Sequence, residues 1–281
     1  MSHAAEHSTR ARECGEPRRG VDSLCHAKAD ASVLHAMYPV LFRIGSFEIT
    51  SFGVMVAIGA LVGLRIFARE LARSGLPEDA VNAAIAGVLG GLLGAKVLWA
   101  IEHAGQEPFA SLLFSRGGMS WFGGFLGGIG AGLIVIRRHR LPVVRVLAAA
   151  TPALAFGHAI GRIGCFLVGD DYGSPSDLPW AVAFPEGLPP TIVPVHPTQI
   201  YEALALTVVG FILLRWRKQG LADGEVLGRY LLIVGAIRFA IEFVRVNVRV
   251  LGPLTLAHVI SAAVMLAGIA GLARGQRRED R

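Results

Sequence analysis

The sequence predicts an all-α integral membrane protein with about seven transmembrane helices and an outward-facing cap, rich in proline and glycine, between helices four and five. Composition supports this class, because 53% of the 281 residues are hydrophobic, only 17% are charged, and the mean hydropathy is +0.54. Soluble domains carry about 25% charged residues. The chain also contains a succession of apolar runs of about 20 residues, the length that crosses a bilayer as a helix.

Residues 1–36 differ in composition from the rest of the chain. They are polar, rich in Arg, His and Ala, and lack the continuous apolar stretch of a signal peptide. Cys14 and Cys25, with the histidines around them, fit no common spacing of zinc ligands. We therefore expect a disordered tail, or an untranslated segment if Met37 is the true start. An intact mass that matches a start at Met1 would exclude the second possibility.

Seven apolar runs form one predicted membrane domain over residues 37–274, followed by a basic cytoplasmic tail, 275–281. The predicted helices are 49–70, 79–101, 119–137, 143–161, 198–216, 226–246 and 254–273. Arginine clusters follow helices one, three, five and seven, whereas the opposite loops are acidic or mixed. The positive-inside rule then places the N-terminus outside and the C-terminus in the cytoplasm. Because the basic residues form no single face, the net charge of +6 does not indicate a nucleic-acid partner.

The longest connection on the outer side is 165–197, the predicted cap. It contains SPSDLP, FPEGLPP and PVHP, which is too much proline and glycine for a helix. Long connections are usually functional or disordered, and the interleaved Trp180 and Phe184 favour an ordered cap. Two polar motifs flank it, GRIGCFLVGDDYG (161–173) and HPTQIYE (196–202). The topology therefore places both motifs near the outer leaflet.

Ionisable residues inside the apolar segments are the candidate site residues. Charges at bilayer depth cost free energy and usually face a cavity. Arginine binds phosphate through two donors at once, so Arg162 and Arg238 are candidates for binding an anionic group. Glu242 lies one turn after Arg238 and would orient it, while His196 is a candidate proton acceptor. The further candidates for contact with a substrate are Lys96, Gly161, Asp170, Gln199, Tyr201, Glu202 and Arg245.

These side chains also have a structural interpretation. Long basic side chains near a helix end extend to the membrane interface. Arg238 and Glu242 are four residues apart on one helix face, which is the spacing of a structural ion pair. His196 precedes a proline at a helix start, where it would only cap the helix.

Six segments, in order and at plausible spacing, resemble prolipoprotein diacylglyceryl transferase, a bacterial integral-membrane enzyme of lipoprotein maturation. They are PVLFRIGSFEITSFGV, GLLGAK, RGGMSWFGG, GRIGCFLVGDDYG, HPTQIYE and GAIRFAIEFVR. The resemblance covers nearly all of the chain after residue 36. It implies transfer of the diacylglyceryl group of phosphatidylglycerol to the lipobox cysteine thiol of a preprolipoprotein, with release of glycerol phosphate.

The resemblance also implies a location and partners. We expect a multi-pass protein of the bacterial inner (cytoplasmic) membrane, in contact with phosphatidylglycerol, preprolipoprotein signal peptides and the bilayer. No metal or organic cofactor is expected, since the lipid is itself a substrate. The attacking thiol belongs to the substrate, so Cys165 is not required as a nucleophile.

The sequence departs from the family's pattern at several polar positions. The family's histidine in RGGMSWFGG is Phe122 here, its asparagine in GRIGCF is Cys165, and a tyrosine four residues before Arg238 is Val234. The motif arginines are retained. Two readings follow, an active transferase with another base, or a catalytically inactive or acceptor-altered paralogue that binds phospholipid or lipoprotein. The candidate bases are His196, Asp170 and Glu242.

Two other protein classes explain less of the sequence. An intramembrane serine protease would pair Ser120 with His158 or His258, but it leaves Arg162 and Arg238 without a role. A transporter would place polar groups through the full membrane depth and often contains internal repeats. Here the polar residues gather toward one side, and the two halves show no obvious repeat.

Overall fold

The computed structural model describes residues 37–45, 47–105, 107–115, 118–247 and 249–279. The prediction for residues 1–36 lies outside this part of the chain. The helices within it are α1 (Ser51–Arg73), α2 (Val81–Glu102), α3 (Phe109–Phe114), α4 (Trp121–Arg138), α5 (Val143–Val168), α6 (Thr198–Lys218), α7 (Asp223–Glu242) and α8 (Leu256–Glu279). The strands are β1 (Val40–Ile44), β2 (Phe47–Thr50), β3 (Val182–Phe184), β4 (Thr191–Val195), β5 (Arg249–Leu251) and β6 (Leu254–Thr255).

The described fold is helical, as predicted, with three small antiparallel hairpins that the sequence did not predict, β1–β2, β3–β4 and β5–β6. Each predicted helix has a counterpart, but several boundaries were wrong. α5 continues to Val168, so the first residues assigned to the cap are helical. It ends there because Gly169 has a left-handed φ of 69° and its N–H bonds back to the carbonyl oxygen of Phe166. α8 continues to Glu279, into the predicted tail.

Five helical segments are long and apolar enough to cross a membrane, Ser51–Arg73, Glu78–Glu102, Val143–Val168, Thr198–Lys218 and Leu256–Arg274. The second includes a short 3-10 turn, Glu78–Ala80, that leads into α2. α4 and α7 are not among them. α4 has only 18 residues and ends in two arginines, and α7 carries five charged side chains in 20 residues.

The helices pack as antiparallel neighbours, α1 with α5, α2 with α4, α5 with α6, and α7 with α8. Glycine allows the closest of these contacts. A Cβ on Gly94 would lie 2.4 Å from the carbonyl oxygen of Gly123, and a Cβ on Gly123 would lie 2.2 Å from that of Gly94. Small residues let membrane helices approach in this way. The antiparallel order brings the end of α5, the start of α6 and the end of α7 to the same end of the bundle.

The connection from 169 to 197 is ordered and tied to the helices around it. β3 and β4 pair within it, and the buried ring of Phe184 stacks on Tyr172 with 5.4 Å between centroids. The Gly173 N–H donates to the carbonyl oxygen of His196 (2.9 Å), and the Ser174 N–H donates to that of Val244 (2.7 Å). The two polar motifs are therefore fixed against each other by backbone hydrogen bonds.

Candidate active site at the ends of three helices

Arg162, near the end of α5, is the centre of a buried ion cluster. Its side chain is 7% exposed, its Nε lies 3.0 Å from Oε2 of Glu202, and its Nη1 donates to Oδ2 of Asp171 at 2.9 Å. The contact with Glu202 exists because the last turns of α5 meet the first turns of α6. Within the described part of the chain, Nη2 of Arg162 is buried without a hydrogen-bond partner. A buried donor of this kind is stabilised when a ligand supplies the acceptor.

Asp171 lies between two arginines. Arg245, just after α7, donates to Oδ1 of Asp171, while Arg162 donates to the other oxygen. The Asp171 backbone has a φ of 60°, uncommon for a residue other than glycine, and Thr198 Oγ1 donates to its carbonyl oxygen at 2.8 Å. Burial alone would raise the pKa of Asp171, but the guanidinium groups of Arg245 and Arg162 outweigh it and hold the pKa below its ordinary value. Asp171 is therefore a carboxylate at neutral pH.

Asp170 has the opposite electrostatic environment. Burial, together with the charge of Asp171, raises the pKa of Asp170 above its ordinary value. Its backbone carbonyl oxygen accepts a hydrogen bond from Nε2 of Gln199 at 2.5 Å. Gln199 is fully buried, so in this structure it positions the loop after α5. Thr198 and Gln199 thus fix the backbone on which both aspartates lie.

Arg238 and Glu242 form a second pair at the same end of the bundle. On α7, Nη1 of Arg238 lies 2.8 Å from Oε2 of Glu242. The other oxygen of Glu242 accepts hydrogen bonds from Thr255 Oγ1 (2.6 Å) and Asn247 Nδ2 (2.7 Å). Thr255 Oγ1 is also 3.1 Å from Nδ1 of His258. Glu242 is therefore held in place, whereas the Arg238 side chain remains 26% exposed.

The two arginine groups form one electrostatic cluster. Arg238 interacts with Glu202 and with the charges of Arg245 and Arg162. Asp171 was not among the predicted site residues, although its place beside Asp170 in the motif would have suggested it. The structure gathers these predicted residues at one end of the bundle: Arg162, Asp170, Gln199, Glu202, Arg238, Glu242 and Arg245.

His158 also belongs to this cluster, although the sequence interpretation placed it only in the protease alternative. It lies one turn before Arg162 on α5, and its Nε2 is 3.5 Å from Oε1 of Glu202. The histidine is 46% exposed and the carboxylate only 4% exposed. The four-residue spacing, which puts His158 and Arg162 on the same face of α5, could have predicted that His158 lies in this cluster.

His196 and Tyr201 lie where the cap meets α6. Nδ1 of His196 is 3.3 Å from the Tyr201 hydroxyl, and Trp180 Nε1 donates to the same hydroxyl at 2.8 Å. Tyr201 and Trp180 also line an apolar recess of about 370 Å³. The other residues of its lining are Phe166, Val182, Pro197, Ile200 and Leu204. The contact between His196 and Tyr201 thus joins the end of the cap to α6.

Two further predicted residues, Gly161 and Lys96, have simpler surroundings. A Cβ at Gly161 would find open space, with no atom of another described helix or of the cap within 4 Å. Lys96 is on α2, and its Nζ lies 2.8 Å from both the carbonyl oxygen and Oγ of Ser115. The same ammonium group is 4.6 Å from the ring centroid of Trp99. These contacts of Lys96 are with α2 and the connection before α4.

Helical architecture and the buried arginine–carboxylate cluster define the class of this protein, a helical membrane protein with arginine–carboxylate pairs at one end of its bundle. Comparison with known proteins is more specific. A family model described as prolipoprotein diacylglyceryl transferase matches residues 39–274. The chain belongs to this family, and the resemblance in the motifs is confirmed.

Relatives from distant bacteria match most of the chain. The phosphatidylglycerol–prolipoprotein diacylglyceryl transferase of Clostridium tetani is 32% identical over 240 residues, 83% of this chain and 96% of the relative. The protein of the same name from Geobacter sulfurreducens is 32% identical over 243 residues, 82% of this chain and 92% of the relative. That of Rhodospirillum rubrum is 34% identical over 252 residues, 83% of this chain and 90% of the relative.

Proposed function

We propose that this protein transfers the diacylglyceryl group of phosphatidylglycerol to the lipobox cysteine thiol of prolipoproteins and releases glycerol phosphate. The observation that carries the proposal is the clustering of Arg162 and Arg238 at one end of the bundle, on the motifs that match the family. The names of the relatives supply the substrates.

The chemistry is one displacement at a lipid carbon. The substrate thiolate attacks the glyceryl carbon that carries the phosphate, a sulfur–carbon bond forms, and the carbon–oxygen bond breaks. The electron pair of that bond leaves with glycerol phosphate, whose negative charge increases. Arg162 and Arg238 bind the phosphate and stabilise this charge, which is a preorganised electrostatic task. Glu242 orients Arg238, and Asp171 fixes Arg162 and Arg245 relative to each other.

The remaining predicted residues have supporting roles in this proposal. Asp170, Gln199 and Glu202 shape the floor of the site, and Gly161 leaves space for the headgroup. His196 and Tyr201 hold the cap beside the apolar recess, where an acyl chain or signal-peptide side chain would lie. Lys96 is on α2 and not on the helices of the arginine cluster, so it would contact substrate only where the substrate reaches α2.

The membrane arrangement is part of the same proposal. We infer seven spans, which adds α4 and α7 to the five apolar helices, with the N-terminus outside and the C-terminus in the cytoplasm of a bacterium. α7 crosses the bilayer because its charged residues lie near its two ends, where they have ion-pair partners. The opposite end of the bundle carries the arginine clusters of the cytoplasmic side. The 169–197 cap then faces outward, where lipidation of exported prolipoproteins requires it.

Transfer itself tests the proposal. The full chain, purified in detergent, is incubated with phosphatidylglycerol and a lipobox peptide, and mass spectrometry is used to look for a diacylglyceryl group on the peptide cysteine. We expect modification by the wild type, loss with Arg238→Ala, and retention with Arg229→Ala. Arg229 is a matched control because it lies on the same helix, paired with Glu225 away from the site. A folded wild type that binds phosphatidylglycerol without transfer would contradict the proposed activity.

A further inference from the structure

We propose that His158 is the general base that removes the proton from the substrate thiol. The inference rests on the proposed function and gives His158 the role that the sequence suggested for His196. The thiolate, and not the thiol, is the nucleophile, so the reaction needs a proton acceptor close to the phosphate-binding arginines. Phe122 stands at the position where the family commonly has histidine, and its benzyl side chain accepts no proton.

The contacts of Glu202 place His158 within the reaction site. One oxygen of Glu202 lies 3.0 Å from Nε of Arg162, and the other lies 3.5 Å from Nε2 of His158. The carboxylate therefore connects the phosphate-binding arginine to the imidazole. Since the arginine and the histidine are one turn apart on α5, they present their side chains to the same carboxylate of α6.

Nε2 of His158 is the ring nitrogen that faces Glu202, at 3.5 Å. In the tautomer that carries its proton on Nε2, Nδ1 has the lone pair that accepts the thiol proton. A carboxylate behind an imidazole also stabilises the imidazolium that forms after proton transfer, as in other histidine–carboxylate pairs. Because the imidazole is 46% exposed while Glu202 is buried, the histidine forms the accessible wall of the site.

The surrounding charges are suited to a base. Those that face His158 are Glu202 from α6, Arg238 from α7 and Arg162 from its own helix. α1, which packs on α5, contributes no ionisable side chain between residues 51 and 64. Glu202 is placed to stabilise the imidazolium that forms, and the two arginines are placed to stabilise the thiolate.

Two of the three candidate bases named from the sequence have other partners in the described structure. Glu242 is buried and bound by Arg238, Thr255 and Asn247. Nδ1 of His196, at the end of the cap, lies 3.3 Å from the Tyr201 hydroxyl of α6. Each of these groups is already engaged in positioning other parts of the site.

The proposed step balances without any further reactant. The thiol proton moves to Nδ1 of His158, sulfur bonds to the glyceryl carbon, and the bond from that carbon to the phosphate oxygen breaks. Glycerol phosphate leaves with the electron pair of that bond. The imidazolium then gives its proton to the leaving phosphate or to water, which restores the neutral base.

The test compares His158→Gln, His158→Ala and His139→Gln. His139 follows α4 and is exposed near its arginines, so its substitution controls for the loss of a histidine. We expect His158→Gln to lower kcat by about 10²- to 10⁴-fold, the usual contribution of a general base, with a change of about twofold or less in KM for phosphatidylglycerol. We expect His139→Gln to retain the wild-type rate.

Two readouts separate a base from a structural residue. In the wild type, kcat/KM should rise with pH as one group of the free enzyme, His158, loses its proton. The pH profile of His158→Gln should lack this rising limb. Added imidazole should restore activity to His158→Ala, where it can fit, but not to His158→Gln.

Each contrary result has a distinct meaning. An active wild type with an unchanged rate and pH profile in His158→Gln overturns this inference and leaves the proposed function intact. A loss of the pH limb in His196→Gln alone assigns the base to His196. A loss of rate that imidazole does not restore, with equally weakened lipid binding, makes His158 structural. A wild type without any transfer overturns the proposed function first, and the inference with it.

Discussion

Two buried ion networks lie at opposite ends of the helix bundle, and they differ in how completely their arginines are paired. At the end without the candidate site, Arg217 contacts Glu70 and Asp223 and donates to the Ser74 hydroxyl. Glu70 also binds Arg73 at 2.5 Å. Arg217 is only 8% exposed, and its partners come from α1 and the start of α7. This network joins three helices and satisfies its own charges.

At the candidate site, arginine and carboxylate side chains also pair, but not all of their hydrogen-bond donors have partners. Arg162 keeps a buried donor without a hydrogen bond to any described residue, Arg238 is partly exposed, and His158 more so. A fully paired network has no buried donor left for a ligand, whereas a buried donor without a partner is stabilised when a bound anion supplies the acceptor. Arginine and glutamate in a membrane helix therefore do not define a binding site by themselves. Hydrogen-bond donors that have no partner within the protein indicate such a site.

Glu70→Ala should produce the largest loss of stability. It removes the carboxylate between Arg73 and Arg217 and leaves a buried guanidinium partly uncompensated, which costs about 3–5 kcal/mol. We expect a clear fall in the thermal unfolding midpoint in detergent, with normal transfer by the protein that remains folded. Glu225→Ala removes an exposed pair with Arg229 and should cost about 0.5 kcal/mol or less. Equal midpoints for the two variants would contradict the distinction between the networks.

Arg238→Ala should have the opposite effect, on activity and not on stability. Removal of one preorganised donor lowers kcat by about 10²- to 10³-fold. Glu242 keeps its bonds to Thr255 and Asn247, so we expect a thermal midpoint close to that of the wild type. Steady-state kinetics and thermal unfolding on the same preparation measure both effects. If Arg238→Ala unfolds as readily as Glu70→Ala, Arg238 belongs to the structural class.

The sequence predicted the pairs that are local and missed those that depend on packing. The Arg238–Glu242 pair follows from a spacing of four residues on one helix. Arg162 could be placed near HPTQIYE by topology alone. That it contacts Glu202, and that His158 contacts the same carboxylate, depends on how α5 rotates against α6. Sequence periodicity does not determine that rotation.

The end of α5 was predicted less well, because glycine both ends helices and occurs inside membrane helices. The predicted helix 143–161 stopped too early, because glycine is tolerated inside membrane helices and α5 continues through Gly161 and Gly164 to Val168. The hairpins were missed because their strands have two to five residues, too short for a period-two pattern. Lys96 was predicted to contact substrate, and that stays a prediction, because the contacts of its ammonium group with Ser115 and Trp99 do not test it.

Thr255→Val should have a smaller effect at the same site. It removes a 2.6 Å hydrogen bond to Glu242 and preserves the shape of the side chain, so Arg238 loses part of its orientation. One hydrogen bond to a charged group contributes about 1.5–3 kcal/mol, of which the retained Asn247 contact preserves a part. We expect kcat to fall by about fivefold to tenfold, since about 1.4 kcal/mol corresponds to tenfold. Thr255→Ser, which keeps the hydroxyl, should retain the rate. Equal rates for the valine and serine variants would show that Glu242 does not act through Thr255.

Cys165→Ser should have the smallest effect of all, although Cys165 lies inside the site. Its sulfur is 3.5 Å from Nη1 of Arg162, and a serine hydroxyl can accept the same contact. Because the nucleophilic thiol comes from the prolipoprotein, we expect transfer within about twofold of the wild type. Loss of transfer, together with a diacylglyceryl group on Cys165 of the wild type detected by mass spectrometry, would contradict direct displacement. The lipid would then pass through the enzyme's own thiol, and the arginines would serve two successive displacements at one carbon.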